Sequence, residues 1–238
     1  MTMADTLLLR YPLHDSAAEC AWLRVDADAA VLAPPGSGTL AEAAEAAEGA
    51  RVVLVLPAEE VSLLRASLPP RSGKRLATLV PFALEDQLAA EIDTLHFAVG
   101  TQSEDGTVET AVVDHAGLES RLAALAQAGL LPVAAFGALQ LVPVNPSSNT
   151  FLYETPTNLL LRQPDGTAAL IDLPIDRPVC DVLTLDADAA TACTVYSSST
   201  IHTARQSALP ADNGLPAGAE YFGGAAQLLE HGALQKYA

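Results

Sequence analysis

Residues Leu68 to Val99 read LPPRSGKRLATLVPFALEDQLAAEIDTLHFAV. Leu76, Val80, Leu84 and Leu88 recur in it every fourth residue, which lines four apolar side chains along one face of a helix. The spacing predicts a helix over roughly Gly73 to Ala90. Pro81 lies inside the pattern and removes one backbone donor, so the helix either kinks there or begins there. Upstream, Val61 to Leu68 reads as a strand stopped by Pro69-Pro70, which cannot donate to a sheet. Downstream, Thr94 to Val99 and Thr107 to Val113 read as strands joined by the turn Ser103-Glu104-Asp105-Gly106. The order is strand, helix, strand, strand.

On the N-terminal side, Thr6 to Arg10 reads as a strand. Ala21 to Val25 and Ala30 to Leu32 read as a hairpin around Asp26-Ala27-Asp28. Pro34-Pro35-Gly36-Ser37-Gly38 breaks the chain, and Thr39 then caps a helix over Leu40 to Glu48 closed by Gly49. Arg51 to Leu56 is apolar nearly throughout and ends at Pro57, as a strand covered on both faces of an α/β sheet would be. On the C-terminal side, Leu118 to Ala128 reads as a helix with Leu118, Leu122 and Leu125 inward. Val133 to Phe136 follows as a strand and Gly137 to Val142 as a short helical connector. Pro143 to Asn149 is the best linker. Phe151 to Glu154, Asn158 to Gln163 and Thr167 to Leu173 read as a second antiparallel set, with Pro164-Asp165-Gly166 as its tight turn. From Cys180 onward a helix, a Ser197-Ser198-Ser199 loop and a tail are expected.

The 238 residues are enough for a sizeable core and one or two domains. Twelve Lys and Arg stand against 29 Asp and Glu, a net charge of −17. Such a surface repels nucleic-acid phosphates and anionic lipid and favours basic protein partners. No apolar run approaches the roughly 18 residues that span a bilayer, and the first residues lack the basic and apolar regions of a secretory signal. Cys20, Cys180 and Cys193 are few and far apart, which fits reduced thiols better than a disulfide framework.

Catalytic constellations are scarce. The five histidines, His14, His96, His115, His202 and His231, form no closely spaced metal pair. His96 is expected as a partly buried strand residue, bonded to Asp93. Asp26/Asp28 and Asp186/Asp188 are read as turn and capping residues rather than acid–base or metal pairs. Gly73-Lys74-Arg75 lacks the upstream glycine and the hydroxyl of a phosphate loop. Ser197 to Thr200 lacks a nucleophile-elbow context. No catalytic residue, cofactor site or metal site is expected.

The segment Val80-Pro81-Phe82-Ala83-Leu84-Glu85-Asp86-Gln87-Leu88, followed by Leu95-His96-Phe97, resembles the start of the cytoplasmic domain of the GspL family, the L subunit of the bacterial type II secretion machine. The ending Leu228-Leu229-Glu230-His231-Gly232 with Tyr237-Ala238 resembles the stretch that precedes the family's membrane span, which implies a chain that stops just before that span. The resemblance implies an α/β fold of actin-like, RNase H-like subdomains. One subdomain would comprise residues 1–60 and 115–145 and a second residues 146–238. The strand-helix-strand-strand unit would be inserted at 61–114.

Actin-like proteins that bind ATP hold it on two Asp-x-Gly turns, because only glycine lets backbone N–H groups close on the phosphates. Here the first place reads Arg10-Tyr11-Pro12, and the second is read at Asp172-Leu173-Pro174. Gly223-Gly224 is read as a loop rather than an adenosine turn. The implied function is therefore a nucleotide-free scaffold, not an enzyme, on the cytoplasmic face of the inner membrane. The implied partners are the N-terminal domain of the secretion ATPase (the E subunit) and, through membrane and periplasmic parts absent from this chain, the M subunit. A homodimer is also allowed. The alternative is a nucleotide-binding actin-like scaffold of the pilus-assembly or division type.

A helical wheel sets Arg75, Thr78, Phe82, Glu85 and Ala89 opposite the leucine stripe. Phe82 is either an exposed anchor for a partner or is turned inward by Pro81. On the first reading Glu85 and Asp86 meet basic groups on the ATPase.

Overall fold

The computed structural model describes residues 5–11, 19–28, 30–70, 73–155, 157–176, 193–197 and 220–223. The chain divides into two compact units, residues 1–138 and 139–238. In the first, strand β1 (Thr6–Arg10) pairs antiparallel with β2 (Cys20–Val25), which pairs antiparallel with β3 (Gly36–Gly38). Helix α1 (Leu40–Ala46) leads into β4 (Arg51–Leu56), which lies parallel to β1. The chain then builds a three-stranded insert: β5 (Val61–Ser67), helix α2 (Leu76–Leu84), β6 (Leu95–Gln102) and β7 (Thr107–Asp114). Helix α3 (His115–Gln127) returns it to β8 (Pro132–Gly137), parallel to β4. The main sheet has the order β3-β2-β1-β4-β8 and the insert β5-β7-β6. Leu7, Leu9 and Leu54 are fully buried in the main sheet, and β4 is buried from Val52 to Leu56, as a strand covered on both faces must be.

The second unit follows helix α4 (Ala138–Leu141), which spans the division. It contains β9 (Asn149–Tyr153), β10 (Asn158–Arg162), β11 (Ala168–Asp172), β12 (Cys193–Ser197) and β13 (Glu220–Gly223), in the order β11-β10-β9-β12-β13. β9, β10 and β11 form an antiparallel meander, with β12 parallel to β9 and β13 parallel to β12. This is the same order and orientation as the main sheet of the first unit. Phe151, Leu159 and Val195 are fully buried at its centre.

Several expectations are corrected. Gly36-Ser37-Gly38 is an edge strand rather than a break: a side chain on Gly36 would collide with the Trp22 indole, so the strand depends on glycine, the residue that otherwise signals a break. Ala30 to Leu32 forms only the bridge Val31–Val25. Here Asp26 closes the turn by accepting from the Asp28 and Ala30 N–H groups. Thr39 caps α1 as expected. It accepts from the Glu42 N–H while the Glu42 carboxylate accepts from the Thr39 N–H, and this bond, with the Thr39 hydroxyl, holds the Glu42 carboxyl below its usual range. In α3, Arg121 and Leu125 are buried and Leu122 is exposed. The expected helix after Cys180, together with Cys180, Asp186/Asp188, Ser198 to Thr200, His14, His202, Gly224 and the ending Leu228 to Ala238, lies outside the described residues. β12 and β13 were not foreseen.

The insert confirms the stripe and shortens the helix. Val80 and Leu84 are fully buried with Ala66, Val108 and Val112, and Leu76, Leu88, Leu95, Phe97 and Val99 pack around them. The helix starts at Leu76 and runs through Pro81, so it does not begin at the proline; the bond from residue 81 to the Ala77 carbonyl is forgone. It ends at Leu84 rather than Ala90. A single 3-10 turn over Glu85–Gln87 follows, and Leu88 is already extended. The turn between β6 and β7 is tied to the entry of α2: Leu68 N donates to Gly106 O at 3.1 Å, and Gln102 Nε2 donates to Pro69 O at 3.0 Å.

Replacing Leu84 by Asp puts a carboxylate among Val80, Val108 and Val112, and is expected to cost about 3 kcal/mol or more. Leu88→Asp, at a half-buried position past the helix end, is expected to cost less than half of that. Denaturant unfolding of the two variants checks the ranking, and equal losses would show that Leu88 is as much a core residue as Leu84.

Candidate functional site

α2 has two unlike faces. The inner one carries Val80 and Leu84, and that burial turns the rest of the helix outward. Phe82 is 63% exposed and Leu79 37% exposed. The inward reading of Phe82 is thus overturned: Pro81 sits within the helix without rotating Phe82 into the core. Arg75, Thr78, Glu85, Asp86 and Ala89 are exposed as well. Arg75, Thr78, Phe82 and Glu85 share the outward side. Ala89 does not share it by helical phase, because the helix has ended before it.

Leu79 and Ala83 were not singled out in the sequence. Both are exposed; Leu79, three before Phe82, neighbours it on the helix surface, whereas Ala83, one after, points about 100° away. Arg75, Leu79, Phe82 and Asp86 follow an i, i+4, i+7, i+11 spacing. They mark a stripe of roughly 17 Å from one charged end to the other. An apolar centre with charged ends suits contact with another protein chain and offers no group that would do covalent chemistry.

The remaining candidates are structural. His96 is exposed, and its ring stacks on His115 with centroids 6.3 Å apart, rather than being partly buried on Asp93. His115 Nε2 lies 3.4 Å from Glu119 Oε1. Cys20 is buried and its thiol donates to Gly38 O; burial pushes its pKa up, which keeps it an unreactive thiol. Among the described residues no three His, Cys, Asp or Glu side chains gather to hold a metal ion, and no helix is long and apolar enough to cross a membrane.

The strand ends that would present phosphate turns carry side chains instead. Tyr11, just after β1, is buried and its N–H reaches Val55 O at 3.4 Å. The guanidinium of Arg121, a residue only 4% exposed, lies 4.1 Å from the Tyr11 ring centroid. In the second unit the counterpart of β1 is β9, since both are the strand from which the meander and the parallel pair diverge. The place to inspect is therefore the β9–β10 turn and not Asp172, which ends the third strand of the meander. That turn reads Glu154-Thr155-Pro156-Thr157. The Thr155 hydroxyl accepts from the Thr157 and Asn158 N–H groups. It too has no glycine.

A profile described as Type II secretion system (T2SS), protein L matches residues 7–216. The type II secretion system protein L of Pectobacterium carotovorum is 33% identical over 129 residues, 52% of this chain but 30% of that protein. The chain thus aligns with less than a third of that relative's length. Among solved structures, the cytoplasmic domain of EpsL, an inner-membrane component of the type II secretion system of Vibrio cholerae, superposes with a TM-score of 0.73 at 19% identity, covering 98% of this chain and 95% of that one. A PilM-PilN type IV pilus biogenesis complex gives 0.56 at 17% identity, over 96% of this chain and 94% of the other. A Bacteroides thetaiotaomicron protein with an actin-like ATPase fold gives 0.51 at 8%, over 95% of each. The fold is therefore actin-like, and with its sequence profile matched over most of its length the chain belongs to the type II secretion system protein L family.

Proposed function

We propose that this chain is the cytoplasmic scaffold domain of a type II secretion inner-membrane protein, and that it recruits the N-terminal domain of the secretion ATPase to the membrane platform. It would act at the cytoplasmic face of that membrane. The single observation that carries the docking site is Phe82: a phenyl ring 63% exposed on a helix whose opposite face is a packed core. With exposed Leu79 one turn before it, the ring offers an apolar centre flanked by charge, which supports a contact with another chain. Family membership supports the platform, and the net charge of −17 supports a basic partner surface. In this reading the domain has no catalytic centre, and the M subunit is reached through parts outside this chain.

The likeness to the pilus complex favours a second reading, a nucleotide-binding scaffold of the pilus type. Tyr11 with Arg121 at one strand end, and Glu154 to Thr157 at the other, weigh against it. Backbone N–H groups cannot close on phosphates where side chains and a proline stand.

Two measurements separate the readings. Calorimetric titration of the chain with the N-terminal domain of its ATPase should give saturable binding, and Phe82→Ala should weaken it by roughly 2 kcal/mol, about 30-fold, with the melting temperature unchanged. Titration with ATP and Mg²⁺ should give no saturable heat; micromolar binding of the nucleotide would favour the pilus-type reading.

A further inference from the structure

α2 is supported differently from its neighbours. α1 carries the Thr39–Glu42 capping box, and α3 is capped by Asp114, whose carboxylate accepts from the Gly117 N–H. Unlike them, α2 has no side-chain cap; as in α3, its first turn holds no acid and its last no base. Its terminal charges are also of the wrong sign. Arg75 occupies the N-cap, at the positive end of the helix dipole, and Glu85 and Asp86 occupy the final turn, at the negative end. The side chains of all three are exposed, and among the described residues none of them makes an ion pair or hydrogen bond that would offset the mismatch. The fold itself draws nothing from these charges. Between them lie Leu79 and Phe82, the exposed apolar centre.

Resting on the reading that α2 receives the ATPase domain, we propose that the docking is polar in direction. The partner segment covering α2 is apolar in its middle, acidic where it lies over Arg75 and basic where it lies over Glu85 and Asp86. The charged ends, roughly 17 Å apart, fix which way round the segment lies, and Phe82 supplies the anchor. Complementary charge at the two ends rejects the reversed orientation by setting like charges together.

The test uses this chain, the N-terminal domain of its ATPase as the probe, and the variants Phe82→Ala, Arg75→Glu and Glu85→Lys/Asp86→Lys. The two charge variants should raise the melting temperature by about 1–3 °C, because their helix ends then match the dipole. They should nonetheless slow association several-fold at low salt, with the difference shrinking as salt rises. A rise in stability coupled to a loss of association is a result that a merely structural role for these charges would not give. If Phe82→Ala weakens binding while both charge variants associate like the parent, the directional inference is overturned and the docking face stands. If Phe82→Ala also binds like the parent, or the parent does not bind the probe, the docking face falls and the inference with it.

Discussion

The seating of Val80 and Leu84 on the β5-β7-β6 sheet is the constraint from which the candidate site follows. A nine-residue helix with a proline at its sixth position is too short and too weakly bonded to persist alone in water. Its position comes from burial: each of the two side chains is fully removed from solvent, worth about 1.5–3 kcal/mol apiece. Once that face is fixed, the outward direction of Arg75, Thr78, Leu79 and Phe82 follows from the pitch of the helix. The chain even leaves the helical path to keep the inner contact. After the 3-10 turn over Glu85–Gln87 it extends at Leu88, whose side chain still packs against the same cluster. Pro81 costs one backbone bond and does not turn the ring inward, so Phe82 stays exposed.

The repeated sheet order gives the chain its actin-like character and locates what it lacks. In each unit one central strand, β1 or β9, feeds the meander on one side and the parallel pair on the other. The turn after that strand is where an actin-like protein needs glycine. A buried tyrosine stacked under a buried guanidinium stands at the first, and a threonine-rich turn with a proline at the second. A cation over an aromatic face is worth about 0.5–2 kcal/mol, so Arg121 and Tyr11 contribute to the stability of the first unit at the end of β1.

Much of this was legible in the sequence wherever one local rule dominated. The i, i+4 recurrence of Leu76, Val80, Leu84 and Leu88 named the buried face of α2, and Thr39 named the start of α1. The unbroken run in β4 named a strand covered on both sides. The errors arose where tertiary contacts overrode local chemistry. Gly36-Ser37-Gly38 reads as a break until Trp22 is seen to need the space. Leu122, expected inward, is exposed, while Arg121 beside it is buried with its guanidinium over the ring of Tyr11, 110 residues away in sequence. A helical wheel carried on to Ala89 assumes a helix that continues past Leu84, where the helix in fact stops, since the periodicity of apolar residues cannot distinguish a helix from a helix followed by a compensating extension. Asp172 was chosen by its neighbours in sequence, whereas the equivalent of β1 could be identified only from strand order.

Natural sequences are for the most part locally consistent with their folds, and departures concentrate where a residue answers to something other than folding. α1 and α3 follow the rules of capping closely. α2 departs from them three times within about a dozen residues: an interior proline, no side-chain cap, and charges opposed to its dipole at both ends. Its inner face, by contrast, obeys the packing rules without exception. Acids also stand at the C-terminal end of α1, at Glu45 and Glu48, so what sets α2 apart is the missing cap, the interior proline and Arg75 at its N-terminus. Sequence alone shows the terminal charges but not their sense, because whether Glu85 and Asp86 oppose the dipole depends on where the helix ends. Had it run to Ala90 as the periodicity suggests, these carboxylates would sit in its interior and carry no such meaning. With the helix ending at Leu84 and its last turn at Gln87, they lie at the negative end of the dipole, where the helix gains no stability from their charge.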